Sequence, residues 1–297
     1  MSRNPPIRVG TRGSKLALVQ TEWVIAKLRA AAPGIDLEAK VVQTTGDRRA
    51  EAPLLGDGVF VREIQNALLQ GEVDMAVHSL KDMPTEPVAG LVIAAIPERE
   101  DARDAIVGAQ LDDLAPGSRV GTGSPRRSAQ LKRLRPDIEV VPARGNVPTR
   151  IEKVEGGEYD AVMLAMAGLS RLGLTADQVF AIDEVLPAPG QGALAVETRD
   201  GDPLADLGRA LHREDVRACV VAERHLLRIL GGGCLLPVAA YASVSGDRVI
   251  LDAAVTSQDG KTQLRAHGES AIDSPLGAAK QASRELLNEG ARDLLST

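Results

Sequence analysis

The sequence predicts two α/β domains of similar topology, followed by a small α+β domain. Three segments of the first domain return in the same order in the second: residues 9–14 as 120–124, 36–38 as 137–139, and 71–77 as 157–162. An ordered repeat of this kind is typical of two domains built alike. Strand-like and helix-like segments alternate within each copy, which predicts a parallel sheet covered by helices. After residue 214 the pattern changes to helix, three strand-like runs and a closing helix.

Hydrophobic spacing and capping residues locate the elements of the first two domains. In the first, strands are predicted at residues 7–11, 37–43 and 74–79, with a helix over about 61–70. Ser14 is a candidate N-cap for a further helix, which Pro33 ends. In the second, a strand at 119–122 leads to the candidate N-cap Ser124 and to Pro125 at the first helical position, which proline favours. That helix ends before Pro136, and a strand follows at 139–141.

The third domain has its own pattern. A helix over 214–230 precedes a glycine-rich loop, and turn residues separate strands at 238–244, 248–256 and 261–267 before a helix over about 276–295. The charged stretch 98–104 and the Pro- and Gly-rich stretch 186–192 are expected boundaries. The predicted domains are therefore residues 1–98 with 193–212, residues 99–192, and residues 213–297.

Composition restricts the class of protein. The 297 residues carry 35 Lys plus Arg against 41 Asp plus Glu, a formal charge of −6, and 44% are hydrophobic but only five are aromatic. This favours a globular protein with an aliphatic core and disfavours nucleic-acid binding by base stacking. No apolar run reaches the roughly 18 residues of a membrane span, and residues 1–8 lack a signal-peptide pattern. We expect a cytoplasmic protein without membrane contact, in a reducing compartment that fits its two cysteines.

Arginine is concentrated in one segment. Of the 35 basic residues 27 are Arg and 8 are Lys, and residues 119–150 hold eight cations against two acids, a net charge of 8 − 2 = +6. Guanidinium groups bind carboxylates and phosphates bidentately, so this excess indicates an anion-binding role. Helix N-termini with hydroxyls and nearby arginines form anion sites, and the paired strand-to-helix loops supply them. The candidates are Arg12, Ser14, Thr122, Ser124, Arg126, Arg127, Arg144 and Arg150; ordinary capping with solvated arginines is the alternative.

Two residues are chemical candidates. Asp82 follows the third predicted strand, where an α/β sheet exposes catalytic groups, and a carboxylate there can move protons or stabilise a developing cation. An exposed ion pair with Lys81 is the alternative. Cys234 follows three glycines, which leave its thiol accessible to a large electrophile, so a nucleophilic role competes with a structural one. Cys219 lies instead on an apolar helix face.

Other motifs are weaker. Residues 190–195 match the GxGxxA dinucleotide pattern, but a strand-like segment follows where a helix is required. The four histidines have no metal-ligand spacing, so no metal site is predicted.

Segments along nearly the whole chain resemble the porphobilinogen deaminase family, also called hydroxymethylbilane synthases. They are residues 11–14, 76–84, 100–105, 121–127, 144–150, 164–172, 186–192 and 231–237. The resemblance implies two domains similar to type II periplasmic binding proteins, with the small α+β domain carrying a three-stranded antiparallel sheet, in a monomer. It also implies a transferase of haem biosynthesis that joins four porphobilinogens head to tail, releases four ammonias and forms hydroxymethylbilane.

The resemblance assigns residues as well. It implies a dipyrromethane cofactor, itself two porphobilinogen units, attached to Cys234 through a thioether. Asp82 matches the family's catalytic aspartate, which would act while positive charge develops on pyrrole nitrogens. Residues matching the family's contacts to pyrrole carboxylates are Arg12, Arg126, Arg127, Arg144, Arg150 and Arg171, with Ser14, Ser79, Lys81, Thr122, Ser124 and Gln191 as further contacts. Residues 55–60 depart from the family, because Asp57 stands where a lysine is frequent.

Two other classes of function fit parts of the sequence. A non-catalytic small-anion-binding protein of the periplasmic type would need only the first two domains, but the lack of a signal peptide and the loop 231–234 disfavour it. Nucleic-acid binding through residues 119–150 is disfavoured by the acidic total and the few aromatic residues.

Overall fold

The chain divides into two compact units in a computed structural model that describes residues 5–42, 59–233 and 236–295. The first unit comprises residues 1–99 with 193–217, and the second comprises residues 100–192 with 218–297. Residues 55–58 of the departing loop and Cys234 lie outside the described residues. Within those residues, no helix has both the length and the apolar character needed to cross a bilayer.

Strands and helices follow one another along both units. The strands are β1 (Ile7–Thr11), β2 (Leu37–Val41), β3 (Met75–Ser79), β4 (Leu91–Ala95), β5 (Asp104–Val107), β6 (Arg119–Thr122), β7 (Glu139–Pro142), β8 (Ala161–Ala165), β9 (Gln178–Val179), β10 (Leu194–Arg199), β11 (Val238–Ser245), β12 (Arg248–Thr256) and β13 (Gln263–Ala271). The helices are α1 (Lys15–Ala31), α2 (Val59–Leu69), α3 (Pro125–Leu134), α4 (Val147–Glu155), α5 (Met166–Arg171), α6 (Leu204–Arg209), α7 (Glu214–Ile229), α8 (Leu276–Asn288) and α9 (Ala291–Leu295). Short 3-10 helices span Leu80–Asp82 and Leu111–Asp113.

The first unit is built on a five-stranded sheet in the order β2-β1-β3-β10-β4. Strand β1 is parallel to β2 and β3, whereas β10 is antiparallel to both of its neighbours. Helix α1 packs its apolar side chains, including Val24 and Leu28, against Val9, Met75 and Val77 on one face. Helix α2 covers the other face with a separate apolar cluster.

The second unit contains a sheet of the same design, in the order β7-β6-β8-β5-β9. Strand β6 is parallel to β7 and β8, and β5 is antiparallel to β8 and β9. The strands of the two sheets correspond by position: β7 to β2, β6 to β1, β8 to β3, β5 to β10 and β9 to β4. The repeat therefore predicted two domains of similar topology correctly.

The repeated segments make the same contact in both sheets. At the start of β1 the Arg8 main-chain N donates to Asp74 Oδ2 at 2.9 Å, and Asp74 N donates to the Arg8 carbonyl at 2.8 Å. In the second sheet Arg119 N donates to Asp160 Oδ2 at 2.6 Å, and Asp160 N donates to the Arg119 carbonyl at 2.9 Å. Each aspartate fixes the register between two parallel strands, which gives the sequence repeat a structural cause.

The rest of the second unit is an antiparallel sheet, β11-β12-β13, covered by α7 and α8. Its core is aliphatic, with alanines on both helices, and it includes Cys219 of α7, which is 6% exposed. Main-chain and side-chain contacts join this sheet to the preceding segment. Ala240 N donates to the Pro187 carbonyl at 3.0 Å, and Leu186 packs against Ala239 and Ala254.

Three predictions about elements need correction. The two large sheets are mixed rather than parallel, because β10 in the first and β5 in the second run antiparallel to their neighbours. The closing helix predicted at 276–295 is interrupted at Gly290, whose φ of +93° lies in the left-handed region that ends helices. The strand predicted at 261–267 spans 263–271, since residues 257–262 form a turn closed by Ser257 and Thr262.

Candidate functional site

In the first unit, one candidate loop lies between β1 and α1. The Ser14 hydroxyl accepts a hydrogen bond from Ala17 N at 3.3 Å and thereby caps α1, as predicted. Thr11 donates to the Ala17 carbonyl at 3.2 Å and ties the end of β1 to the first turn of the helix. Arg12, between these two residues, is half-buried.

The end of β3 presents the candidate carboxylate. After Ser79 the chain forms the 3-10 helix Leu80–Asp82, in which Leu80 is fully buried and Asp82 is exposed. Ser79 and the Gln20 amide exchange two hydrogen bonds, at 3.1 and 3.2 Å, and Leu80 N donates to the Ala193 carbonyl at 3.0 Å. An accessible carboxylate therefore projects from a backbone segment that is held from two directions.

The second unit repeats the capped loop. The Ser124 hydroxyl accepts from Arg127 N at 3.4 Å, and Pro125 occupies the first turn of α3. Thr122 Oγ1 accepts from Ser124 N at 3.2 Å and so shapes the loop that precedes the helix. Both predicted N-caps are confirmed, and they occupy equivalent places in the two repeats.

Arg126 and Arg127 are buried, only 3% and 6% exposed, so the alternative of solvated arginines is wrong for this pair. Asp104, fully buried at the start of β5, lies between them. Arg126 Nη1 is 2.6 Å from Asp104 Oδ2, and Arg127 Nε and Nη2 are 2.9 and 2.8 Å from Oδ1. Gln191 Nε2 also donates to Asp104 Oδ1, at 2.9 Å. The structure thus brings three candidates together around a carboxylate that sequence reasoning did not select.

Asp104 is ionised within this cluster. Burial alone would raise the pKa of Asp104, but the charges of Arg126 and Arg127 and hydrogen bonds from Arg126 and Gln191 lower it from 3.8 to about 2. Burial lowers the pKa of Arg126, against the charge of Asp104. Asp104 lies in the segment 100–105 that carries the family resemblance, so a signal existed, but nothing in the sequence pairs it with arginines more than twenty residues later.

Arg150 and Arg171 add further cations in the same unit. Asn146 caps α4, and Arg150 in that helix donates from Nε to the Gly145 carbonyl at 2.8 Å. Burial and the nearby charge of Arg127 both lower the pKa of Arg150. Burial lowers the pKa of Arg171, whose Nη2 donates to the Gly192 carbonyl at 2.9 Å. Arg144 is exposed in the loop before α4.

This arrangement has positive charge in excess. Among the described residues, Asp104 is the one carboxylate in ion pairs with Arg126 and Arg127, which leaves a surplus of 2 − 1 = +1, and the nearby Arg150 adds a further positive charge. Arg126 Nε is buried without a hydrogen-bond partner in the same part of the chain. A ligand with several carboxylates, such as a chain of pyrroles bearing acetate and propionate groups, fits this donor set. Cys234, the attachment residue that the resemblance implies, lies outside the described residues, so the fit concerns the carboxylates alone.

Acid is expected to destabilise the chain partly through Asp104. Its folded-state pKa of about 2 lies below the unfolded value of about 3.9, so its contribution is present above pH 4 and is lost as pH falls toward 2. The difference corresponds to about 2 kcal/mol. We expect urea unfolding at pH 5 and pH 2 to show a pH-dependent loss smaller by that amount in Asp104→Asn than in the unsubstituted chain. Asp137→Asn, at an exposed pair with Arg135, is the control, and equal losses in all three proteins would contradict the prediction.

Comparisons with known proteins cover most of the chain. Residues 7–206 match the family model described as "Porphobilinogen deaminase, dipyromethane cofactor binding domain", and residues 217–288 match "Porphobilinogen deaminase, C-terminal domain". The porphobilinogen deaminase of Thermus thermophilus is 46% identical over 295 residues, which is 97% of this chain and 97% of the relative. That of Acidothermus cellulolyticus is 47% identical over 302 residues, 97% of this chain and 91% of the relative. Among solved structures, the periplasmic VFT2 domain of Bordetella pertussis BvgS is 19% identical and covers 70% of this chain and 87% of its own, with a TM-score of 0.41.

Proposed function

The chain belongs to the porphobilinogen deaminase family, and we propose from this premise that it condenses four porphobilinogens head to tail into hydroxymethylbilane, releasing four ammonias. This makes it a transferase of haem biosynthesis. The observation that carries the proposal is the buried arginine cluster of the second unit, whose charge exceeds that of its single paired carboxylate among the described residues. A substrate and product rich in carboxylates would neutralise that surplus.

The second unit would hold the dipyrromethane cofactor that the name of the matching family model specifies. Bound through a thioether to Cys234, this group supplies the pyrrole terminus to which substrate units are added. Arg126 and Arg127, oriented in advance by Asp104, would bind its carboxylates with little reorganisation. Residues assigned to further contacts with cofactor or substrate are Arg12, Ser14, Ser79, Lys81, Thr122, Ser124, Arg144, Arg150, Arg171 and Gln191.

Asp82 would handle protons and positive charge. Its exposed carboxylate can accept hydrogen bonds from pyrrole N–H groups, and it stabilises the charge that develops on those nitrogens when ammonia leaves. The same oxygens can take the proton that the new carbon–carbon bond displaces. Lys81, half-buried beside it, would bind a substrate carboxylate.

We further propose a cytoplasmic monomer with three domains, residues 1–98 with 193–212, residues 99–192 and residues 213–297. The main-chain contact between Ala240 and Pro187 supports grouping the last two in one unit.

A turnover measurement tests the proposed activity. The purified chain is incubated with porphobilinogen, and we expect one ammonia for each porphobilinogen consumed, together with a linear tetrapyrrole identified by mass. Porphobilinogen without protein gives the background. A non-catalytic anion-binding protein would bind porphobilinogen without releasing ammonia, and that result would contradict the proposal.

A further inference from the structure

A cluster of three buried polar side chains in the first unit has no part in the proposed chemistry. His78 on β3, Glu197 on β10 and Gln65 on α2 are 4%, 3% and 4% exposed. His78 Nε2 lies 3.2 Å from Glu197 Oε2, and Gln65 Nε2 donates to Glu197 Oε1 at 3.0 Å. We call these residues the His78 triad. Each member comes from a different element, so the triad joins two strands and the helix that covers them.

The strand register explains why these side chains meet. In the antiparallel pair of β3 and β10, Ala195 is opposite His78 and Glu197 is opposite Ala76. His78 and Glu197 are therefore diagonal neighbours on one face of the sheet, within reach of each other. Side chains alternate along β3, so Val77 belongs to the α1 face whereas His78 belongs to the α2 face.

Burial leaves His78 Nε2 and Glu197 Oε2 close to each other at 3.2 Å, and neither atom makes a hydrogen bond elsewhere in the described residues. A carboxylate away from water is costly unless a cation or a shared proton compensates it. Among the described residues, no Lys or Arg forms an ion pair with Glu197, and His78 is its titratable neighbour. Gln65 can satisfy only one of the two carboxylate oxygens. His78 and Glu197 therefore act as one unit, in which loss of the imidazole removes the polar neighbour of a buried carboxyl oxygen.

His78 of the triad lies four residues before the candidate carboxylate, and each of residues 78 to 80 makes a contact that holds the chain. His78 holds one face of the end of β3, and the next residue, Ser79, binds Gln20 on the other face. Leu80 then fixes the main chain to Ala193, and Asp82 follows at the surface. An exposed side chain depends on its backbone for its position, so the rigidity of residues 78–80 determines where the Asp82 carboxylate lies.

We propose that His78 is a positioning residue for the reaction. Its contact with Glu197, which Gln65 aligns, fixes the end of β3 from which Asp82 projects. This inference rests on the proposed function, because it concerns the residue assigned there to proton and charge chemistry. His78 itself is buried and acts through the backbone. Arg126 and Arg127, which are assigned to pyrrole carboxylates, bind Asp104 in the second unit, so we expect substrate affinity to depend little on the triad.

Steady-state kinetics of the cofactor-loaded protein test the proposal. His78→Leu removes the contact, whereas His78→Gln keeps an N–H donor at a similar distance from the backbone. We expect His78→Leu to lower kcat by about 10- to 100-fold with KM for porphobilinogen nearly unchanged, as displacement of a catalytic group predicts. His78→Gln should recover most of that loss. Val77→Ala, one residue away but on the opposite face, is the matched control: it lowers Tm by opening a cavity and leaves kcat unchanged.

The outcomes are distinguishable. All rates are taken well below the measured Tm of each variant, so a purely structural role for His78 predicts an unchanged kcat for His78→Leu, and that result overturns the proposal. An equal loss of kcat in Val77→Ala also overturns it. If His78→Leu does not fold, Gln65→Leu replaces it, with a smaller fall in kcat expected and an unchanged kcat overturning the proposal. If the unsubstituted protein carries the covalent dipyrromethane cofactor but releases no ammonia from porphobilinogen, the proposed function is contradicted. The inference then falls with it.

Discussion

Replacing Cys234 by serine is expected to abolish both the cofactor adduct and turnover. The proposed thioether needs a thiolate nucleophile, whereas a serine hydroxyl stays protonated and is far less nucleophilic at neutral pH. Without a covalent link, the arginine cluster would have no tethered primer to hold during elongation. Intact mass of the purified chain should exceed the sequence mass by one dipyrromethane unit, and this excess should disappear in Cys234→Ser, with ammonia release falling to background.

Cys219→Ala is the matched control for this experiment. Cys219 is buried in the apolar core against β11 and β12, so its removal costs stability but leaves the adduct in place. An unmodified mass for the unsubstituted chain, expressed in a host that makes haem, would contradict the assignment. So would an adduct that persists in Cys234→Ser and moves to another residue.

Replacing Asp82 by asparagine is expected to lower kcat by about 10²- to 10⁴-fold, the range for loss of a positioned acid–base group. Asparagine has the same shape but cannot accept a proton or balance the charge on a pyrrole nitrogen. Because Asp82 is exposed and ends a short 3-10 helix, the substitution should leave Tm within a few degrees of the unsubstituted value. Ammonia release and thermal unfolding, measured on the same preparation, check both expectations.

Asp113→Asn provides a control of the same kind. Asp113 is also an exposed aspartate at the end of a 3-10 helix, in the second unit, and its replacement should leave kcat unchanged. The adduct mass of Asp82→Asn is measured first, because a chain without cofactor would be inactive for a different reason. Near-normal hydroxymethylbilane formation by a loaded Asp82→Asn protein would remove Asp82 from the mechanism.

Local features of the fold were predictable from the sequence, because short-range chemistry decides them. Ser14, Ser124 and Pro125 mark helix starts through hydrogen bonds and a fixed φ within one turn, and the structure has them at those starts. The repeated segments predicted matching sheets, and one pair of them, 71–77 and 157–162, carries the aspartates that set strand register. The direction of β10 was not predictable in this way, since its partners β3 and β4 lie about a hundred residues earlier and alternation of strands and helices says nothing of a returning strand.

The candidate site was predictable in its residue types but less so in its arrangement. The excess of arginine indicated an anion site, yet the sequence gives no sign that Arg126 and Arg127 are buried on either side of Asp104. That pairing depends on the first residue of β5 meeting the first turn of α3, which is a tertiary contact. The His78 triad was hidden for the same reason, because a single histidine in a strand has no partner visible in the sequence.

Because β10 comes late in the chain, the strands of the second large sheet are all synthesised before those of the first sheet are complete. All strands of the second sheet lie within residues 104–179, whereas the first sheet lacks its fourth strand until residue 199 has been made. The nascent chain therefore carries β3 and β4 with unpaired edges while the second sheet closes, although domains usually fold from the N-terminus. Over that interval His78 has no Glu197 to bind. Ribosome-bound intermediates are consequently exposed to aggregation through these edges. A pause in translation between residues 180 and 194 leaves the first sheet unfinished, whereas all strands of the second sheet have been made.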